Sequence, residues 1–122
     1  MSTGGASSEL VRAFSAAFAR ADLQALRGMV TDDVVFESTS PAPDGHRFEG
    51  VDAVLKVWSE IVRGSIDPVF AEEESFLSGD RAVVRWTYSW TSADGSPGHV
   101  RGVDVMRFRE GKVCEKLSYV KG

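Results

Sequence analysis

Few side chains in this sequence combine reactive chemistry with an apolar setting, and Asp104 is the foremost of them. It sits within Val103-Asp104-Val105-Met106-Arg107-Phe108, whose alternation reads as a strand. Successive strand side chains point to opposite faces, so Gly102, Asp104, Met106 and Phe108 share one face. The run over 80–91 likewise puts Ala82, Val84, Trp86, Tyr88 and Trp90 together. If these are one face of one sheet, Asp104 points at aromatic rings. An isolated carboxyl there is costly to ionise. Kept neutral, it can donate a hydrogen bond to an oxygen that gains charge; ionised, it can accept a proton. The competing placement is the sheet margin, with Asp104 solvated or bonded to Arg101 or Arg85.

His99 is a second candidate base, expected at a strand edge and without a visible orienting partner. Cys114 is the one cysteine, which excludes an intrachain disulfide. As a nucleophile it would need a base, and it reads more simply as an inert strand residue. Glu72-Glu73-Glu74 reads as a solvated stretch beside a strand. No ligand cluster for a metal and no glycine-rich phosphate loop is present, so no cofactor is expected.

The elements that must position these groups follow from periodicity. Ser7 or Ser8 can cap a helix in which Leu10, Phe14, Ala17, Phe18 and Ala21 recur at helical spacing. Asp22 opens a short second helix with Leu23, Leu26, Met29 and Val30 on its apolar face. Thr31-Asp32-Asp33 breaks that pattern, and a strand runs from Val34 to about Ser38. Residues 39–49, with two prolines and a glycine, read as a loop, and a third helix spans roughly 51–63. From Pro68 the period becomes two, predicting strands near 69–77, 80–91, 99–109 and 112–120. Short turns join them, so they are antiparallel neighbours. Helices segregated from such a sheet indicate an α+β fold. Residues 1–8 read as a disordered tail and 9–122 as a single domain.

Composition sets the outer bounds. The 122 residues suit one core, and 43% hydrophobic with 26% charged residues is ordinary for a folded chain. A net charge of -4 with no Lys/Arg cluster argues against nucleic acid and anionic membrane surfaces. No run approaches the roughly 20 apolar residues of a membrane span, and there is no leader-like start, so a cytoplasmic location is expected.

Three segments carry a family resemblance. Asp22-Leu23-Gln24-Ala25-Leu26, Thr31-Asp32-Asp33-Val34-Val35-Phe36-Glu37 and Phe48-Glu49-Gly50 resemble the first half of the nuclear transport factor 2-like superfamily. Gly102 to Val113 resembles its penultimate strand, turn and final strand, and the likeness covers about residues 9–120. It implies a cystatin-like cone: three N-terminal helices packed on a curved, mixed, mostly antiparallel sheet, a pocket between them, and a homodimer. The fold hosts ketosteroid isomerases, SnoaL-like polyketide cyclases, limonene epoxide hydrolases and proteins that only bind.

The strongest motif likeness is to ketosteroid isomerase, in which a protonated aspartate donates within an oxyanion hole. Asp104 falls where that family has the acid. The family's oxyanion tyrosine and proton-shuttling aspartate correspond to Phe14 and Ser38, neither of which can do that work. A substitute base would be needed: Glu37 has the opposite strand parity, which leaves His99. The cyclases carry a terminal aspartate where this chain has Tyr119-Val120-Lys121, and the hydrolases' Arg-x-Asp is here Arg85-Trp86-Thr87.

The expectation is an apolar pocket for a small lipophilic or ring-containing ligand, with isomerase-, cyclase- or hydrolase-like chemistry centred on Asp104 if the chain is an enzyme. Its lining would come from Phe14, Phe18 and Trp58 on helices and from Phe36 and Ser38 on the first strand. Val84, Trp86, Tyr88, Met106 and Phe108 would supply the long strands, and Leu117 and Tyr119 the last. The alternative is a non-catalytic assembly module with a vestigial cavity, dimerising through an outer face of Val103, Val105, Thr87 and Ser118.

Overall fold

Two capping side chains start the helical layer. The Ser7 hydroxyl accepts from the Leu10 N–H at 3.1 Å, and the Asp22 carboxylate accepts from the Ala25 N–H at 3.0 Å. In the computed structural model, which describes residues 7–63 and 66–121, they open α1 (Ser8–Ala19) and α2 (Leu23–Met29). Of the tail expected over 1–8, residues 1–6 lie outside the described residues, while Ser7 and Ser8 begin α1. The helix α3 (Val51–Arg63) follows β1 (Val30–Glu37) and β2 (Arg47–Glu49). Four long strands complete the chain: β3 (Ile66–Ser78), β4 (Arg81–Thr91), β5 (Pro97–Arg109) and β6 (Lys112–Val120).

The six strands form one sheet in the order β2-β1-β6-β5-β4-β3. Every pairing is antiparallel except β1 with β6, which is parallel. Three helices on one mixed sheet make the α+β architecture of the nuclear transport factor 2-like cone. Among the described residues no helix is long and apolar enough to cross a membrane.

Two local expectations need correction. The first strand begins at Val30 rather than Val34. Its pairing with β6 passes from Val30–Val113 to Val35–Glu115, so a bulge absorbs the polar Thr31-Asp32-Asp33 triplet without ending the strand. The region read as loop over 39–49 ends in β2, whose three residues pair with β1 through Phe36–Phe48. A strand this short leaves no period-two signature, although its Phe48 ring stacks on Phe36 at 6.1 Å.

A third irregularity decides which residues face the helices. In β5–β6, Phe108 pairs with Val113 and Arg107 with Glu115, so Cys114 is an extra residue without a partner. The bulge reverses the alternation along β6. Val113 and Lys116, three apart, are both buried, and Leu117 and Tyr119 go to the outer face. Tyr119 is 53% exposed. Ser118, expected outside, turns inward opposite Asp104.

The core fills the space between helices and sheet. Trp58 of α3 is its centre, fully buried, with Phe14, Phe18 and Phe36 edge-on to it at 5.6–5.7 Å. On the outer face a third bulge, at Glu73 between the Glu72–Trp86 and Glu74–Arg85 pairs, gives the middle of the acidic run a structural task. Arg101 grips the Glu73 carboxylate with two nitrogens at 2.7 and 3.1 Å, and the Thr87 hydroxyl donates to it. Three strands are thereby tied together, and the stretch is not simply solvated.

The Arg101 and Thr87 hydrogen bonds hold the Glu73 carboxyl at about 2, below its ordinary 4.5. A depressed folded-state value means that this contribution is present in full above about 4.5 and is lost as pH falls toward 2. Urea unfolding across that window should show Glu73→Gln losing less stability on acidification than the unsubstituted protein. Equal losses in the two proteins would contradict this placement.

Candidate functional site

The concave side of the sheet does not pack solidly against the helices. A cavity of about 400 Å³ opens between them. Phe18 of α1 and Val57 and Ile61 of α3 form one wall. Phe36, Phe70, Trp86 and Tyr88 form the opposite one, and His46 and Ser38 stand at the mouth with residues of the 38–46 loop. A polar cleft of about 500 Å³ shares Ser38, His46 and Ser118 with it and leads outward. The β4 aromatics are steered by glycine: a Cβ at Gly102 would come within 2.6 Å of the Trp86 ring, so the indole lies across the neighbouring strand.

Lys116 and Ser118 bring polarity to the cavity floor. Asp104 lies one layer deeper, 2% exposed, among Phe14, Val84 and Met106. Its Oδ2 is 3.2 Å from Lys116 Nζ, and its Oδ1 accepts a 2.6 Å hydrogen bond from Ser118 Oγ. Lys116 is itself 5% exposed. Its Nζ stands 4.9, 5.0 and 5.6 Å from the ring centres of Phe18, Phe36 and Trp58. The ammonium is therefore held by one carboxylate and an aromatic cage, each ring worth about 0.5–2 kcal/mol.

Those numbers decide how the pair behaves. Two charges out of water carry a desolvation cost of several kcal/mol each, and their mutual attraction roughly offsets it. Removing one partner leaves the other charge uncompensated, at about 3–5 kcal/mol. Asp104 and Lys116 thus act as one unit, and Ser118 fixes the orientation of the carboxylate within it.

The positions expected from sequence separate into groups. Phe18, Phe36, Ser38, Trp86 and Tyr88 line the main cavity. Phe14, Val84 and Met106 surround Asp104 beneath it, and Trp58 closes the cage from behind. Phe108 is buried at the other end of the core, beside Leu10, Met29 and Val113, away from the cavity. Leu117 and Tyr119 are on the outer face because of the Cys114 bulge. His99 pairs with Ser89 on that same outer side and is exposed, since it is five residues from Asp104 and has the opposite parity. It cannot reach a group at the cavity floor.

Asp104 faces inward, but it is not isolated. Lys116 was hidden by the bulge; the available signal was that an acid on an apolar strand face needs a partner, and a neighbouring strand carries a lysine. His46 and the α3 residues Val57 and Ile61 were also missed as lining. The Ser38 hydroxyl is engaged locally, donating to the Ser40 carbonyl at 2.9 Å and accepting from the His46 N–H at 3.0 Å. The Trp86 indole N–H is buried with no acceptor among the described residues. Among those residues no group of three or more His, Cys, Asp or Glu could hold a metal ion.

Comparison with known proteins agrees with this architecture. A nuclear transport factor 2-like protein of unknown function from Mesorhizobium loti is 41% identical, over 93% of this chain and 89% of its own, with a TM-score of 0.79. One from Burkholderia pseudomallei is 27% identical over 93% and 88%, with a TM-score of 0.77. A Sinorhizobium meliloti protein described as a "putative polyketide cyclase" is 24% identical over 90% and 93%, with a TM-score of 0.74, a likeness of fold. No curated protein matches the chain. Residues 11–116 match the SnoaL-like domain, so nearly the whole helix-and-sheet frame around the Asp104–Lys116 pair is accounted for by one family, and the chain belongs to the SnoaL-like branch of the nuclear transport factor 2-like superfamily.

Proposed function

We propose that this protein binds a small, ring-containing lipophilic molecule in the cavity between α3 and the sheet, acting in the cytoplasm, and carries out acid–base chemistry of the isomerase or cyclase kind there. The observation that carries the reading is the buried Asp104–Lys116 pair, whose lysine reaches the floor of a largely aromatic cavity of about 400 Å³. Aromatic walls favour a flat hydrophobic ligand, while a polar group at one end fixes its orientation. A ligand oxygen at the floor would meet the Lys116 ammonium, and Asp104 would exchange the proton. The family match and the cyclase description of the Sinorhizobium meliloti relative support the reaction class.

The same reading includes a homodimer through the outer sheet face. Phe76 is 56% exposed there, and in register beside it on the next three strands run half-buried Val83, Val105 and Leu117. A contiguous apolar patch of this kind favours burial against a second copy. Sedimentation should give a dimer, and Phe76→Lys a shift toward monomer; an unsubstituted protein that stays monomeric at high concentration would rule this out.

Ligand binding is tested by thermal shift with a panel of bicyclic and tricyclic ketones. Binding should raise the melting temperature of the unsubstituted protein, and Val57→Trp, which fills the cavity, should abolish the shift. A shift unchanged in Val57→Trp would contradict the site. For any ketone that turns over, Asp104→Asn, checked for folding by circular dichroism, should lower kcat by about 10²–10⁴-fold. A domain that only assembles would show neither shift nor turnover.

A further inference from the structure

Lys116 offers chemistry that a proton-exchanging acid does not explain. Holding a ligand oxygen by charge alone is a task for which arginine serves at least as well, because its charge is permanent and its donors are more numerous. Lysine differs in that its amine, once deprotonated, is a nucleophile. We propose that Lys116 binds carbonyl ligands covalently, as an imine. The inference rests on the reading that the cavity takes a ring-containing ligand, and it names the ligand's reacting group as an aldehyde or ketone.

Three features of the site carry it. The first is a proton acceptor in place: Asp104 Oδ2 lies 3.2 Å from Nζ, and the Ser118 hydrogen bond at 2.6 Å holds the carboxylate in that orientation. Moving one proton across the contact converts ammonium and carboxylate into amine and carboxylic acid with no change in net charge, which suits a dry site. The second is the cage. Phe18, Phe36 and Trp58, 4.9–5.6 Å from Nζ, stabilise a cation there, and a protonated imine is as much a cation as the ammonium it replaces. The third is exclusion of water. The lining around Lys116 is mostly aromatic and aliphatic, and a ligand seated against Phe18, Phe36, Trp86 and Tyr88 would stand between the imine and the polar mouth at Ser38 and His46, which slows hydrolysis while it stays bound.

The step balances. The Lys116 proton passes to Asp104. The amine attacks the carbonyl carbon, the C–N bond forms, and the carbonyl oxygen becomes the hydroxyl of a carbinolamine after a proton shift. Asp104 returns its proton to that hydroxyl, the C–O bond breaks and water leaves. The product is a protonated imine beside the Asp104 carboxylate, with one molecule of water released per ligand. Nothing is oxidised or reduced.

The experiment uses the full-length protein, with 2-naphthaldehyde as the probe and 2-naphthylmethanol, which has the same ring system and no carbonyl, as its unreactive counterpart. Incubation with the aldehyde and sodium cyanoborohydride reduces any imine to a stable amine, which intact-mass measurement and peptide mapping locate. The expected result is one naphthylmethyl group per chain, on Lys116, formed at least about tenfold faster than at the exposed Lys56, Lys112 or Lys121. The paired substitution Asp104→Asn with Lys116→Met, which removes both charges together, should lose that adduct and keep only slow surface labelling. An adduct at exposed lysines alone overturns the proposal. If the alcohol binds by thermal shift and the aldehyde leaves no mark on Lys116, the imine is wrong and the pocket reading stands. If neither compound binds, both fail.

Discussion

A lysine ammonium and an aspartate carboxylate face each other at 3.2 Å in the buried interior of this fold, and the arrangement around them follows from keeping that pair intact. A buried charge in an apolar core is tolerated only with a partner and with its remaining polar capacity satisfied. Asp104 meets the requirement with Lys116 on one oxygen and Ser118 on the other. Lys116 meets it with Asp104 and three aromatic faces. The rings come from α1, β1 and α3, so one ammonium ties both helices to the sheet.

The sheet supplies the geometry. Cross-strand register places Ser118 opposite Asp104 and Lys116 opposite Met106, so all of them share the inner face. That register depends on Cys114 being extruded as a bulge; without it, Lys116 would point to solvent and Leu117 would occupy the core. The cavity has a comparable origin. Gly102 lets Trp86 lie flat across its neighbouring strand, and the 38–46 loop stays above the floor, leaving space that the core side chains do not fill. The outer face works to a different logic. Glu73, Arg101 and Thr87 bind three strands there, beside an apolar patch that the helices do not cover.

Much of this was legible in the residues. The caps at Ser7 and Asp22, the third helix and the four long strands follow from periodicity and from turn chemistry, because those signals extend over many residues. The inward direction of Asp104 follows from parity along β5, which is unbroken from Gly98 to Arg107. The misplacements along the strands have a common physical source. Bulges at Glu73 and Cys114 insert residues that leave no trace in composition, and each resets the alternation downstream, while the one at Thr31–Asp33 hides the start of β1. On β6 this exchanged Leu117 and Tyr119 for Lys116 and Ser118. The site therefore lost its cation in the sequence reading, and Asp104 looked like an isolated acid. His99 was misjudged for a simpler reason, since its odd position already opposed that of Asp104.

The central claim is that Asp104 and Lys116 form one buried unit, and a double-mutant cycle measures it directly. Urea unfolding would be compared for the unsubstituted protein, Asp104→Asn, Lys116→Met and the two together. Each single change should cost about 3–5 kcal/mol by leaving an unpaired buried group, and the paired change should cost less than the sum by at least about 2 kcal/mol. Additivity within about 0.5 kcal/mol would contradict the account, because it would mean that the two side chains do not share their burial.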